Sequence, residues 1–139
     1  MTTTRSSGFS LIELLVVVAI IGILSAIGVV SYKGYISGTK KTSAKNVMLQ
    51  ISLAQTEEYS NSGEYFTQAC GSAPSVDTSL DIETELFGGG DQISKDVGYE
   101  MCIISSGTSS YTIKALKDGT EGECSLKLTQ NGAWTEENC

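Results

Sequence analysis

Between positions 11 and 30 every residue is aliphatic, glycine or serine except one, Glu13. An apolar run of about 20 residues is long enough to cross a bilayer as a helix. Beyond Val30 the pattern changes but stays helical. Ala44, Val47, Met48, Ile51 and Ala54 recur at steps of three and four, with Lys45, Asn46, Gln50 and Gln55 between them, which predicts an amphipathic helix with one buried face. No proline interrupts the chain before Pro74, and Ser60-Asn61-Ser62-Gly63 supplies the stop signal. One helix from Phe9 to about Tyr59 is therefore expected, roughly 75 Å long at about 1.5 Å per residue. Gly22, Gly28, Gly34 and Gly38 punctuate it, as soft points and as places where another helix can approach closely.

From position 64 to 95 the pattern is irregular: Cys70-Gly71-Ser72-Ala73-Pro74, then the acids Asp77, Asp81, Glu83 and Glu85, then Gly88-Gly89-Gly90. A long loop tied down by Cys70 is the expectation. Period-two alternation follows. Residues 97–105 set Tyr99, Met101 and Ile103 against Glu100, Cys102 and Ile104; residues 111–117 and 123–130 repeat the pattern. Ser106-Gly107-Thr108 and Asp118-Gly119 mark turns, and Asn131-Gly132 opens a short last strand through Trp134. The predicted class is α+β: a long N-terminal helix packed on an antiparallel meander of three or four strands. The chain divides into a leader (1–8), a membrane-spanning helix (9–30), the amphipathic half of the same helix (31–60) and a head (61–139).

Charge and cysteine usage narrow the function. After Glu57 four lysines stand against fifteen acids (counting Glu57), whereas Lys33, Lys40, Lys41 and Lys45 before it have no acid among them. An acidic head argues against DNA as its main partner, because affinity for phosphate backbones needs lysine and arginine contacts. Lys114, Lys117 and Lys127 are the candidates for a small basic stripe across adjacent strands. The four cysteines (Cys70, Cys102, Cys124, Cys139) contain no CxxC pair, and there is no histidine, so disulfides in an oxidising compartment fit better than zinc or redox catalysis. The acids Asp77, Asp81, Glu83, Glu85 and Asp91 lack the spacing of a calcium loop and read as a solvated surface. No nucleophile motif or phosphate-cradling loop is present, and Gly88-Gly89-Gly90 leads into Asp91 rather than a helix with lysine. No enzyme, metal or cofactor is expected.

Glu13 is the informative residue. A carboxylate within a membrane-length helix costs about 2.5–3.5 kcal/mol on insertion scales, so it marks a function with a specific partner. An ordinary secretory signal, with Arg5 as its basic region and Ala26-Ile27-Gly28 as its cleavage site, is opposed by this acid and by the length of the run. The lysines after the run favour the opposite orientation from an outside head, but long exported domains cross largely regardless of flanking charge.

The run Gly8-Phe9-Ser10-Leu11-Ile12-Glu13-Leu14-Leu15-Val16-Val17-Val18-Ala19-Ile20-Ile21-Gly22-Ile23-Leu24 closely resembles the N-terminus of type IV prepilins and pseudopilins. More loosely, Tyr111-Thr112-Ile113-Lys114-Ala115, Cys124-Ser125-Leu126-Lys127-Leu128, Asn131-Gly132 and a closing Cys139 are similar to small PilE-type and minor pilins of Gram-negative bacteria. The resemblance implies that a prepilin peptidase cuts between Gly8 and Phe9 and methylates the Phe9 amine. It also implies that Glu13 pairs with the Phe9 amine of a neighbouring subunit during filament assembly. Partners are then other pilins, as homo- or hetero-oligomer, the peptidase and a pilus assembly platform. The location is the inner membrane, then an extracellular pilus serving adhesion, twitching motility or DNA uptake. Val30 occupies a position where many pilins carry proline.

The cysteines allow three connectivities. The favoured one joins Cys70 to Cys102, tying the long loop to the first strand, and Cys124 to Cys139, closing the C-terminal segment. The alternative function is a pseudopilin of a type II secretion system, whose major members usually hold calcium and often lack disulfides. A DNA receptor is the third reading, opposed by the acidic head.

Overall fold

The computed structural model describes residues 8–105, 107 and 109–139. Positions 1–7 of the expected leader, and Ser106 and Thr108 of the expected first turn, lie outside the described residues. Helix α1 runs without interruption over Leu11–Ser62. It contributes to two compact units, Met1–Gly38 and Thr39–Cys139. In the first unit every described residue through position 35 is exposed. In the second, one face of α1 is buried through Ala44, Met48, Ile51 and Gln55, the three-and-four spacing of a single stripe. The helix stops where Gly63 enters the left-handed region (φ +82°) and its N–H bonds to the Tyr59 carbonyl at 2.8 Å.

Four antiparallel strands follow: β1 (Tyr99–Ser105), β2 (Tyr111–Lys117), β3 (Ser125–Thr129) and β4 (Trp134–Glu137), paired in sequence order. The register aligns Met101, Ala115 and Leu126, and likewise Ile103, Ile113 and Leu128. These residues form the core with Ala44, Met48 and Ile51 of α1 and with Ile82, Ile93 and Val97. Gln55 is buried in that interface and satisfied at both ends: its Nε2 donates to the Phe66 carbonyl at 2.9 Å, and its Oε1 accepts the Phe66 N–H at 2.7 Å.

The long loop expected over 64–95 is not a loop throughout. Helix α2 spans Val76–Phe87, and a single π-helical turn covers Ile93–Val97. Ser75 caps α2 in a reciprocal box with Thr78; threonine replaces the usual acid or amide of that motif. The inward face of α2 is Thr78, Ser79, Ile82 and Glu83. Because three of these four are polar, hydrophobic periodicity does not reveal the helix.

The polar face has a structural job. Thr78 Oγ1 donates to the Met101 carbonyl at 2.7 Å, the Met101 N–H donates to Ser79 Oγ at 2.9 Å, and the Ile103 N–H donates to Gln68 Oε1 at 2.8 Å. Side chains thus satisfy the outer edge of β1 in place of a fifth strand. Beside them Glu100 is buried, its Oε2 accepting from Ser79 Oγ at 2.6 Å and Ser94 Oγ at 2.9 Å. Positions 99–103 are consequently buried on both faces of the strand.

Candidate functional site

The functional candidates begin where α1 begins. Gly8, Phe9 and Ser10 precede the helix, and the Leu14 N–H makes an early helical bond to the Ser10 carbonyl at 3.2 Å. The Ser10 N–H donates to Glu13 Oε2 at 3.1 Å, and the Glu13 N–H donates to Ser10 Oγ at 3.4 Å. Ser10 and Glu13 therefore form a capping box. The Ser-x-x-Glu signature was present in the sequence, where Glu13 was read only as half of an intermolecular pair. The side chain sits in the first turn of the helix. Phe9, Ile12, Glu13, Val16 and Val17 line one apolar cleft. Farther along, Ser25 Oγ donates to the Ile21 carbonyl at 2.7 Å, so the run's one hydroxyl is satisfied within the helix. The helix is long and apolar enough to cross a membrane, and the lone acid of its apolar run 11–30 is at the end adjoining Phe9.

The head presents a second set of residues. Cys70 is bonded to Cys102, with Cα atoms 5.7 Å apart, and Cys124 to Cys139, 4.6 Å apart. The first bond anchors the segment before α2 to β1; the second anchors the C-terminal residues to the start of β3. Glu136 of β4 forms ion pairs with Lys41 (2.7 Å) and Lys45 of α1, and the Lys45 ammonium lies 5.4 Å from the Trp134 ring centre. Hydrogen bonds from Lys41 and then Lys45 lower the Glu136 carboxyl below its ordinary value. Glu136 thus ties the edge strand to the helix.

Two other expectations are corrected. Lys114, Lys117 and Lys127 do not form one stripe. Lys114 and Lys127 are cross-strand partners, but Lys117 is an odd number of positions from Lys114, on the opposite face of the strand, and pairs with Glu123 at 4.0 Å. The acids after Pro74 are not uniformly solvated: Asp77, Asp81 and Glu85 are exposed on α2, whereas Glu83 is buried. Among the described residues, no group of three or more His, Cys, Asp or Glu side chains gathers to hold a metal ion. The tyrosines divide as well. Tyr59 lies against Tyr65 at 4.7 Å and Tyr65 meets Tyr111 edge-to-face at 4.8 Å between ring centres, whereas Tyr32 and Tyr35 are exposed.

Residues 3–29 match the family model described as the prokaryotic N-terminal methylation motif. Fimbrial protein Q of Moraxella bovis is 32% identical over 134 residues, covering 92% of this chain and 83% of that protein. Type IV major pilin protein PilA of Myxococcus xanthus is 39% identical over 72 residues, 50% of this chain and 33% of the relative. Fimbrial protein EcpC of Eikenella corrodens is 43% identical over 56 residues, 40% of this chain and 37% of the relative. The last two matches span about a third of those relatives' lengths. No solved structure matches the chain significantly. An N-terminal methylation motif on an apolar run with a single acid, a four-stranded antiparallel head and near-full-length similarity to a fimbrial protein agree: the chain belongs to the type IV pilin family.

Proposed function

We propose that the chain is a structural subunit of a type IV pilus, made as a precursor and polymerised through its N-terminal helix. A prepilin peptidase cuts between Gly8 and Phe9 and methylates the freed Phe9 amine. The subunit is held in the inner membrane with its head outside until the assembly platform moves it into an extracellular filament. There it packs with copies of itself or with other pilins. Glu13 pairs with the Phe9 amine of a neighbouring subunit, and the pilus serves adhesion, twitching motility or DNA uptake.

The observation that carries this reading is the exposed apolar surface of α1 between positions 11 and 30, whose single carboxylate, Glu13, lines one cleft with Phe9. Moving such a helix from lipid into a bundle of identical helices changes little hydrophobic free energy, since lipid tails are as apolar as leucine. Packing, the Glu13 pair and head contacts then hold the polymer, and an external motor can run it in either direction. Gold-labelled antibody against the head, applied to intact cells, tests the reading. Label along filaments extending beyond the cell surface is expected. Filaments that are unlabelled, and equally numerous when the chain is deleted, contradict it; label confined to the periplasm points to a secretion pseudopilus instead.

A further inference from the structure

A cleft of about 160 Å³ is lined by Val47 and Gln50 of α1, Glu83 and Phe87 of α2, and Gly89, Gln92 and Ile93 of the segment that follows. Glu83 is only 3% exposed. Its Oε1 accepts the backbone N–H groups of Gln92 and Ile93, both at 2.6 Å, but its Oε2 has no hydrogen-bond partner. A buried carboxyl oxygen left without a hydrogen-bond partner is costly, so a donor placed at this point is favoured. The surroundings add to the negative potential. No basic residue occupies the last turn of α2, whose terminal carbonyls carry partial negative charge.

The walls select among cations. Val47, Phe87 and Ile93 are apolar, which suits an ammonium carried on an aliphatic stem better than a hydrated ion, since a lysine lays its methylenes along such a surface. The head displays two suitable lysines. Lys114 and Lys127 are directly opposite one another across β2 and β3, a like-charge pair that is unfavourable by itself. Among the described residues neither has an ion-pair partner. By strand alternation they face away from the side of the sheet that packs on α1, whereas the cleft is walled by α1 and α2. Two different surfaces of one head are complementary. Contacts between unlike surfaces of identical subunits are the kind that propagate into open filaments rather than closed dimers.

The geometry points to the Glu83 cleft as the docking pocket for a lysine, Lys114 or Lys127, from a second copy of this chain. The inference rests on the polymer proposed above and names a head contact within it. Purified filaments and detergent-dispersed full-length subunits are treated with an amine-acetylating reagent, and the modified lysines are quantified by peptide mass spectrometry. Lys114 or Lys127 is expected to react about tenfold less in filaments, tenfold being the smallest protection expected of a pair worth about 1.4 kcal/mol. Glu83→Gln filaments should lose that protection. Should that variant fail to fold, the double substitution Lys114→Met with Lys127→Met decides. Dispersed subunits should melt as the parent does, while filaments should dissociate at a lower temperature. Equal labelling in both states, protection that survives Glu83→Gln, or lysine-variant filaments as robust as the parent's would overturn the contact while leaving the polymer intact. A parent chain that yields no filaments would remove the polymer reading itself, and this contact with it.

Discussion

Two substitutions at position 13 separate the two roles open to its side chain. Within one chain Glu13 closes a capping box with Ser10, through contacts of 3.1 and 3.4 Å. A cap of this kind contributes about 1 kcal/mol, with a range of roughly 0.5–2. An ion pair in the apolar core of a filament is a different quantity: removing one partner strands the other and costs about 3–5 kcal/mol. That corresponds to about 10²–10⁴-fold in association constant for each contact. Glutamine can fill the same position of a capping box as glutamate but carries no charge, whereas alanine does neither. If pairing with a neighbour's amine is what matters, Glu13→Gln and Glu13→Ala lose filaments almost equally. If the local cap is what matters, glutamine behaves as the parent. The assay compares filaments sheared from cells with subunit retained in the membrane fraction. Membrane levels should match or exceed the parent's, because removing the charge lowers the cost of placing the helix in lipid. Sheared filaments should fall on the order of a hundredfold or more in both variants. A Glu13→Gln chain that assembles within a fewfold of the parent would refute the pairing argument.

Other outcomes follow from the head. Ser79→Ala removes the 2.6 Å bond to Glu100 and leaves the buried Met101 N–H without its 2.9 Å acceptor; a loss of about 2–4 kcal/mol is expected. Thermal unfolding of the detergent-solubilised chain should register it as a drop of about 10 °C or more, and a shift of a degree or two would contradict the network. Replacing Cys124 and Cys139 by serine, with a sequence separation of 15, should cost about 3 kcal/mol, and replacing Cys70 and Cys102, with a separation of 32, nearer 4. A peptide map of unreduced filaments that links Cys70 to Cys124 would contradict both pairings. Burial raises the hydroxyls of Tyr99 and Tyr111 above their ordinary value near 10. Because the folded state holds these protons more tightly, its stability is full below about pH 10 and is lost as pH rises past it. The melting temperature should fall above that pH and fall less in Tyr99→Phe; identical alkaline profiles would count against the burial argument.

How much of this was legible in the sequence depended on which kind of side chain faced inward. The stripe of Ala44, Met48 and Ile51 and the alternation of Tyr99, Met101 and Ile103 are apolar toward the core, so period alone located α1 and the strands. Helix α2 was invisible for the opposite reason. Thr78, Ser79 and Glu83 turn inward to serve the edge of β1 and the turn at Ile93, and a polar inner face carries no hydrophobic period. Its signals were the Ser75–Thr78 cap and the glycine after Phe87. The misplaced lysine stripe was an error of parity, since the positions of Lys114 and Lys117 already assign them to opposite faces. Glu136 could not have been read locally, because its partners, Lys41 and Lys45, lie on a helix at the other end of the chain. The Ser10–Glu13 cap is legible in the Ser-x-x-Glu spacing alone.

Assembly through α1 requires Phe9 to become the chain's free amino terminus beside a neighbouring Glu13. Mass spectrometry of the N-terminal peptide from native filaments reads this directly. The prediction is a peptide that begins at Phe9 and carries one methyl group on its amine; a mature chain that begins at Met1, or at any position other than nine, contradicts it.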